Sequence, residues 1–357
     1  MQMPSLGPHV ASPPPIRRRP LGRTSLTVSE LGLGGAAIGN LYAPVDDASC
    51  RRALEAAWDA GLRLFDTAPY YGFGLSERRL GDALRCSPRD AYVVSTKVGR
   101  ILRPVPRHSG DAERHGFCSP MPFEPAFDYS YDGIMRSHEA SLHRLGLAYV
   151  DVLLVHDLGR LTHGAEHERH LSDFLGGGVR ALEELRATGR IRAVGLGVNE
   201  WLICAQVMDQ VRIDCVLLAG RYTLLEQEPA ANFLPRCVAE GTSVVVGGAY
   251  NSGILATGTR SSGPLYFDYA PAPQSIIERV KALEAVCDAH QVPLAAAALQ
   301  FPLAHPAVAA VIVGAASEER VTQGVAAYYH PIDPALWRDM KAEGLIHPLA
   351  PIPGDQS

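Results

Sequence analysis

Four polar residues end or closely follow apolar runs of the sequence: Asp66, Tyr71, Lys97 and His156. A tyrosine in water titrates near ~10, so it exchanges protons at neutral pH only if a nearby cation lowers its pKa. We expect Lys97 to be that cation, with Asp66 fixing its position and balancing its charge. A neutral His156 would orient a substrate oxygen by a hydrogen bond. These four types suit proton transfer at a carbonyl or hydroxyl oxygen while a hydride moves to or from carbon.

Each of these residues also has an ordinary structural explanation. A lysine at a strand end is commonly a solvated charge, and a tyrosine in a turn is commonly a surface residue. Four suitable types at matching strand ends favour the catalytic interpretation. We expect the neighbouring Tyr70 to point away from the site, because only one of two adjacent residues should face a pocket.

Short apolar runs alternate with amphipathic segments along most of the chain. Eight runs read as strands: 31–35, 62–66, 91–97, 150–156, 191–198, 213–218, 243–248 and 308–314. Helical spacing covers 46–60, 76–84 and 275–290. Eight successive β-then-α units predict a parallel (β/α)8 barrel, in which polar residues at the carboxyl ends of strands two, three and four come together.

The remaining segments complete a single-domain organisation. Residues 1–18 are predicted as a disordered leader, 19–345 as one barrel domain that begins with a short hairpin, and 346–357 as a C-terminal tail. Long loops at 99–131 and 157–171 follow strands three and four, and long loops in compact domains are commonly functional. Four aromatic residues of the first loop are candidates for the pocket wall, or for surface or core positions: Phe123, Phe127, Tyr129 and Tyr131.

Composition restricts the class of protein. A net charge of −5 and a pI near 6.2 give no electrostatic reason to expect nucleic acid or an anionic membrane as partner. The seven cysteines are odd in number and scattered, which is typical of reduced thiols in a cytoplasmic protein. No apolar stretch is long enough to span a bilayer, and the oligomeric state is left open. The expected partner is a small molecule.

The motifs D-x-A-x-x-Y-G, a lysine after the next strand, and L-L-x-H make the chain resemble the aldo-keto reductases. The resemblance implies a barrel that binds a nicotinamide dinucleotide without a Rossmann fold. It also implies Tyr71 as the proton donor or acceptor, Lys97 and Asp66 as its tuning pair, and His156 as the orienting group.

The resemblance further assigns residues to cofactor binding. In it, Asn199 would bind the nicotinamide carboxamide, and the motif V-I-V-G-A-A-S-E-E-R-V-T-Q would hold the adenosine phosphates at a helix N-terminus. The implied contacts are Gly35, Asn199, Ser252, Gly253, Gly314, Ala315, Ser317, Arg320 and Gln323. Gly314 stands where members that prefer NADP carry Lys or Arg, so the electrostatic gain from a 2′-phosphate is smaller and NAD is favoured. NADP remains open.

Within the family the chain resembles sugar 1-dehydrogenases of the D-threo-aldose type. The implied reaction oxidises the anomeric hydroxyl of a cyclic aldose such as L-fucose, D-arabinose or L-galactose to a lactone, with Tyr71 as general base. The alternative is a pyridoxal 4-dehydrogenase, which performs the same operation on the internal hemiacetal of pyridoxal.

Two alternatives come from other classes of protein. Aldo-keto barrels also serve as non-catalytic, cofactor-binding regulatory subunits, against which the complete set of four polar residues argues. A metal-dependent hydrolase would rest on the histidines, but His163, His167 and His170 lie in a polar loop without a ligand pattern, and no metal site is expected.

Overall fold

Eight parallel strands form a closed barrel in the order of the chain. The computed structural model describes residues 14–106 and 113–354. The barrel strands are β1 (Leu31–Gly34), β2 (Leu64–Asp66), β3 (Val93–Val98), β4 (Val152–His156), β5 (Ala193–Val198), β6 (Cys215–Ala219), β7 (Ser243–Gly247) and β8 (Val308–Gly314). All eight predicted strands are present, and the (β/α)8 prediction is confirmed.

Helices lie outside the strands. They are α1 (Asp47–Asp59), α2 (Leu75–Leu84), α3 (Tyr131–Leu145), α4 (Arg160–His163), α5 (His167–Asp173), α6 (Val179–Ala187), α7 (Trp201–Met208), α8 (Phe233–Glu240), α9 (Ile254–Thr257), α10 (Gln274–Ala289), α11 (Leu294–Gln300), α12 (Glu318–Tyr329) and α13 (Pro334–Ala342). The predicted helices correspond to α1, α2 and α10. The carboxylate of Asp46 accepts a hydrogen bond from Ser49 N and so begins α1 as an N-cap.

The strands are buried on both faces, as parallel strands under helices must be. Alternate residues such as Leu64, Val152 and Leu217 pack inside the barrel, and their neighbours pack against the helices. The hairpin Arg18–Pro20 with Thr27–Ser29 covers the amino-terminal end of the barrel, where Leu21 and Leu26 join the interior cluster.

The prediction that the disordered leader extends to residue 18 is wrong for its last residues. Residues 1–13 lie outside the described part of the chain, but Ile16 is buried in the core and Arg18 begins the hairpin. The side chains of Arg17 and Arg19 both reach the buried carboxylate of Glu30, at 2.9 and 2.5 Å. Apolar burial and this ion pair therefore hold the chain against the barrel from residue 16.

The two long loops contain regular structure. After β3, strand Arg100–Pro104 pairs with Phe123–Phe127, and a small hairpin joins Glu113–Arg114 to Phe117–Cys118. After β4, α4 and α5 are followed by a π-helical turn at Phe174–Gly178. Local pairing and helical turns satisfy backbone groups that an irregular loop would leave to solvent.

At the other end of the chain, Ile346, Ala350 and Ile352 are buried, so the predicted tail packs on the barrel as far as the last of them. No helix in 14–106 or 113–354 has the length and apolarity needed to cross a membrane.

Candidate active site

A buried ion pair lies at the carboxyl end of the barrel. Lys97 and Asp66 are 1% and 2% exposed, and Lys97 Nζ lies 2.6 Å from Asp66 Oδ2. Lys97 Nζ also donates to the Thr67 carbonyl at 2.9 Å, and Ser95 Oγ donates to Asp66 Oδ1 at 2.6 Å. Burial alone would lower the pKa of Lys97, but Asp66 and Tyr71 hold it above its usual value. Lys97 is therefore a fixed positive charge.

The Tyr71 ring packs on this charge. Lys97 Nζ lies 4.7 Å from the ring centroid of Tyr71. Burial raises the pKa of Tyr71 to about 12, although Lys97 acts in the opposite direction. The prediction that Lys97 lowers the Tyr71 pKa below its usual value is wrong for the protein alone, because desolvation of the phenolate outweighs the attraction of a cation that Asp66 already neutralises.

Tyr70 also faces the cavity, against expectation. Its ring centroid lies 6.1 Å from that of His156, and the corresponding distance for Tyr71 is 6.0 Å. Both tyrosines line the same cavity. Strict alternation holds in an extended strand, but residues 69–74 form consecutive turns. Neighbouring side chains there point to the same side.

His156 ends β4 and is 6% exposed. Burial, with the positive charges of Arg100 and Lys97, holds the pKa of His156 well below its usual range. The ring is therefore neutral, as the sequence predicted for an orienting group. Its Nε2 lies 3.5 Å from Asp157 Oδ2, and its Nδ1 is buried with no partner among the described residues.

A second ion pair, Arg100 with Asp157, was missed by the sequence analysis. Arg100 stands three residues after Lys97, and Asp157 directly follows His156. Their positions in the sequence, close to the candidate residues Lys97 and His156, could have indicated that they belong to the site. Asp157 has a positive φ of 48°, and this backbone turn directs it toward Arg100 rather than along the strand.

Three of the four predicted residues, Tyr71, Lys97 and His156, line one cavity of about 440 Å³. The fourth, Asp66, lies behind Lys97 and contacts its ammonium group. The cavity walls are aromatic: Tyr42, Tyr70, Tyr71, His115, Phe117 and Tyr269. The candidate wall residues of the first loop lie elsewhere. Tyr129 is buried and donates to the His156 carbonyl at 2.7 Å, Phe127 packs on Arg100, and Tyr131 donates to Glu184. Phe123 belongs to the paired strands behind the cavity.

Asn199 lines the cavity together with Tyr269, which belongs to the segment after β7. Asn199 Nδ2 lies 3.4 Å from both the Ala219 carbonyl and the Tyr269 hydroxyl. Both contacts are near the limit for a hydrogen bond, so the amide is loosely held and available to a ligand. Ser252 Oγ accepts a hydrogen bond from Tyr269 N, and Ser252 and Gly253 both have positive φ. Asn199 fits a nicotinamide amide group, and the predicted cofactor contacts of Asn199, Ser252 and Gly253 remain predictions.

The adenosine motif lies where β8 meets α12. Ser317 caps α12 by accepting a hydrogen bond from Arg320 N, and Arg320 and Gly314 are exposed. Ala315 is buried, and Gln323 contacts Glu319. A helix N-terminus with an exposed arginine fits a phosphate group.

Gly35 packs closely at the end of β1. Its N–H donates to the Asp66 carbonyl at 2.7 Å, and an added Cβ would lie 2.5 Å from Ser76 Oγ. Close packing alone accounts for a glycine there, and its predicted contact with a cofactor stays a prediction. Across the described ranges, no group of three or more His, Cys, Asp or Glu side chains is arranged to hold a metal ion.

Fold and site together define a barrel protein with an acid–base cluster at the carboxyl ends of its strands. The family model described as "Aldo/keto reductase family" matches residues 30–343. Pyridoxal 4-dehydrogenase of Microbacterium luteolum is 48% identical over 92% of this chain and 98% of its own length. D-threo-aldose 1-dehydrogenase of a Pseudomonas species is 39% identical, over 90% and 95%.

A solved structure agrees with this similarity. The holo form of an aldo-keto reductase from Bacillus halodurans superposes with a TM-score of 0.72 at 26% identity, covering 95% of this chain and 99% of that one. The chain belongs to the aldo/keto reductase family and is an NAD(P)-dependent oxidoreductase. The regulatory-subunit alternative is set aside on this finding.

Proposed function

We propose that this enzyme oxidises the hydroxyl group of a cyclic hemiacetal to a lactone, with the internal hemiacetal of pyridoxal as substrate. The observation that carries the proposal is the convergence of Tyr71, Lys97 and His156 on one cavity, which Asn199 also lines. The 48% identity to a pyridoxal 4-dehydrogenase, against 39% to an aldose 1-dehydrogenase, ranks pyridoxal first. The aromatic walls suit a flat ring.

The proposed chemistry assigns one task to each side chain. When bound, the oxidised nicotinamide would supply the hydride acceptor and a positive charge to the site. Tyr71, as phenolate, takes the proton of the substrate hydroxyl while the carbon–hydrogen electron pair leaves as hydride and the carbonyl forms. Lys97, held by Asp66, stabilises the phenolate. Neutral His156 hydrogen-bonds the substrate oxygen and orients the reacting carbon.

An aldose is the second candidate. The 39% relative supports it, and the Arg100–Asp157 pair offers both donors and an acceptor to a sugar diol. We favour NAD as cofactor because Gly314 leaves one cation fewer near a 2′-phosphate.

Initial rates of nicotinamide reduction test this proposal. The enzyme is assayed with NAD and, separately, NADP against pyridoxal, L-fucose, D-arabinose and L-galactose, and the product is identified by mass. We expect NAD reduction with pyridoxal and a lactone as product. Turnover of a sugar alone would reject pyridoxal as substrate, and no turnover of any of the four would reject hemiacetal oxidation.

A further inference from the structure

Arg100 is a buried cation in the wall of the active-site cavity. The residue is 9% exposed, and its guanidinium carbon lies 4.0 Å from the Tyr70 ring centroid and 4.6 Å from that of Phe127. One guanidinium nitrogen, Nη2, donates to Asp157, whereas Nε is buried with no partner among the described residues. Two aromatic faces therefore hold a charged group at the cavity wall.

The position of this ion pair argues for more than a structural role. Burying two charges is expensive, and a pair kept only for stability does not need to face a cavity. Arg100 and Asp157 nevertheless line the same cavity as Tyr71 and His156. Asp157 Oδ2 lies 3.5 Å from His156 Nε2, so the pair is adjacent to the proposed orienting group. Arg100 and His156 line one cavity, so a substrate whose oxygen is bound at His156 shares that cavity with the guanidinium.

The Arg100 guanidinium and the aromatic residues around it indicate which kind of ligand this part of the cavity can bind. The ring hydroxyl of pyridoxal is ionised in neutral water, and it stands on the carbon next to the one that carries the hemiacetal. A guanidinium gives such a phenolate a charge-assisted hydrogen bond, which is roughly twice as strong as one to a neutral hydroxyl. Asp157 and Tyr70 would hold the guanidinium in place before the substrate arrives.

We propose that Arg100, positioned by Asp157 and Tyr70, determines specificity by binding an ionised ring oxygen next to the oxidised hemiacetal carbon. This inference rests on the proposed oxidation of hemiacetals. It adds the substrate feature that the enzyme recognises: a phenolate beside the reacting carbon.

A pair of substrates isolates this contact. Pyridoxal carries the phenolate, whereas the cyclic hemiacetal of 3-deoxypyridoxal keeps the pyridine ring, the methyl group and the fused five-membered ring without it. The double variant Arg100→Gln/Asp157→Asn removes both charges and leaves no buried charge unpaired. We expect the ratio of kcat/KM for pyridoxal to kcat/KM for the analogue to fall at least tenfold, the size of a hydrogen bond to a charged group. Arg100→Lys should recover part of that ratio.

A control comes from an ion pair elsewhere in the protein, in which Asp151 is buried and Arg89 is partly exposed. Arg89 Nη2 lies 2.7 Å from Asp151 Oδ2, and neither residue lines the cavity. Arg89→Gln/Asp151→Asn should leave the substrate ratio at its wild-type value. Melting temperatures and NADH affinities of all variants report any general loss of structure.

The outcomes separate this inference from the proposed function. An equal loss on both substrates would make the pair structural and overturn the inference while the function stands. A loss confined to L-fucose would mean that the pair binds a sugar diol, which also overturns it. If the wild-type enzyme oxidises the analogue but not pyridoxal, recognition of the phenolate and pyridoxal as the substrate are both rejected. The proposed oxidation of hemiacetals would still stand in that case.

Discussion

At the scale of single residues, the site depends on Tyr71 and the positive charge of Lys97. The Tyr71 ring packs against the Lys97 ammonium group, which is hydrogen-bonded to Asp66 and to the Thr67 carbonyl. Because desolvation keeps the Tyr71 pKa at about 12, proton transfer through this residue depends on positive charge brought close to its oxygen.

The Tyr71→Phe variant tests that dependence. We expect kcat to fall by about 10²- to 10⁴-fold, the contribution of a general acid or base, while NAD affinity stays near wild type. Steady-state rates and NADH fluorescence titration measure the two effects. Tyr222→Phe is the matched control, because it removes a buried hydroxyl that lies outside the cavity. Near wild-type turnover in Tyr71→Phe would reject the assignment.

At the scale of elements, the junction of β8 with α12 offers a place to change cofactor preference. Gly314 is exposed, and an added Cβ would meet nothing within 4 Å. A side chain can therefore enter without repacking, and a lysine there could reach a phosphate near the N-terminus of α12.

Gly314→Lys should raise the ratio of kcat/KM for NADP to kcat/KM for NAD by severalfold, to about tenfold, because a cation gains an ion pair with the 2′-phosphate. Gly314→Gln, with similar bulk and no charge, is the control and should change the ratio little. The two ratios are compared at low and high salt, since screening should reduce the effect of the lysine. An unchanged ratio in Gly314→Lys would mean that the adenosine end binds elsewhere.

The N-terminal hairpin is a second element with a testable ion pair. Arg19 donates to Glu30 and to the carbonyls of Val308 and Leu303, so it ties the hairpin to the last barrel strand. Glu30 is 2% exposed and also contacts Tyr328 and Arg17.

Arg19→Met should lower the free energy of unfolding by about 3 kcal/mol, the lower end for breaking a buried pair, because Arg17 and Tyr328 still contact Glu30. Arg17→Met should lower it by less than about 1 kcal/mol, because the Arg17 side chain is 74% exposed. Denaturant unfolding measures both. Equal losses in the two variants would contradict a hairpin fixed chiefly by Arg19.

At the scale of the whole molecule, buried histidines make stability depend on pH. His138 and His305 are 2% and 5% exposed, and burial lowers the pKa of each to about 4. Their pKa in the unfolded chain is near ~6.5. Between these two pKa values the unfolded chain binds more protons than the folded protein. The stability that the two neutral histidines contribute is therefore fully present above pH ~6.5 and is lost as the pH falls toward 4.

We expect each of these two histidines to remove about 2 to 3 kcal/mol of stability at pH 4.5. In His305→Asn the loss of stability between pH 7.5 and 4.5 should be smaller by the contribution of one histidine. The variant should still fold, because an Asn oxygen can accept the hydrogen bond that His305 Nδ1 receives from Ala307 N. Free energies of unfolding from pH 7.5 to 4.5 measure the slope. Wild type and variant with the same slope would show that this histidine is not linked to folding.

The sequence alone predicted the eight strands, helices α1, α2 and α10, and the clustering of four polar residues, because short continuous apolar runs and the polar residues that end them are local patterns. It placed Tyr70 wrongly, because the turns at 69–74 leave no periodic signal. Likewise, the predicted leader ended too late, because Ile16 and Arg17 are held by contacts with distant residues.

Only the tertiary structure decided the rest of the site. Arg100 meets Asp157, 57 positions away, across neighbouring strands, and the aromatic wall combines four separate loops. The pKa of Tyr71 likewise depends on how completely the fold excludes water from its oxygen, a property that no spacing of residues records. Sequence patterns determine which side chains end each strand, whereas long-range packing determines what those side chains face and how strongly they are desolvated.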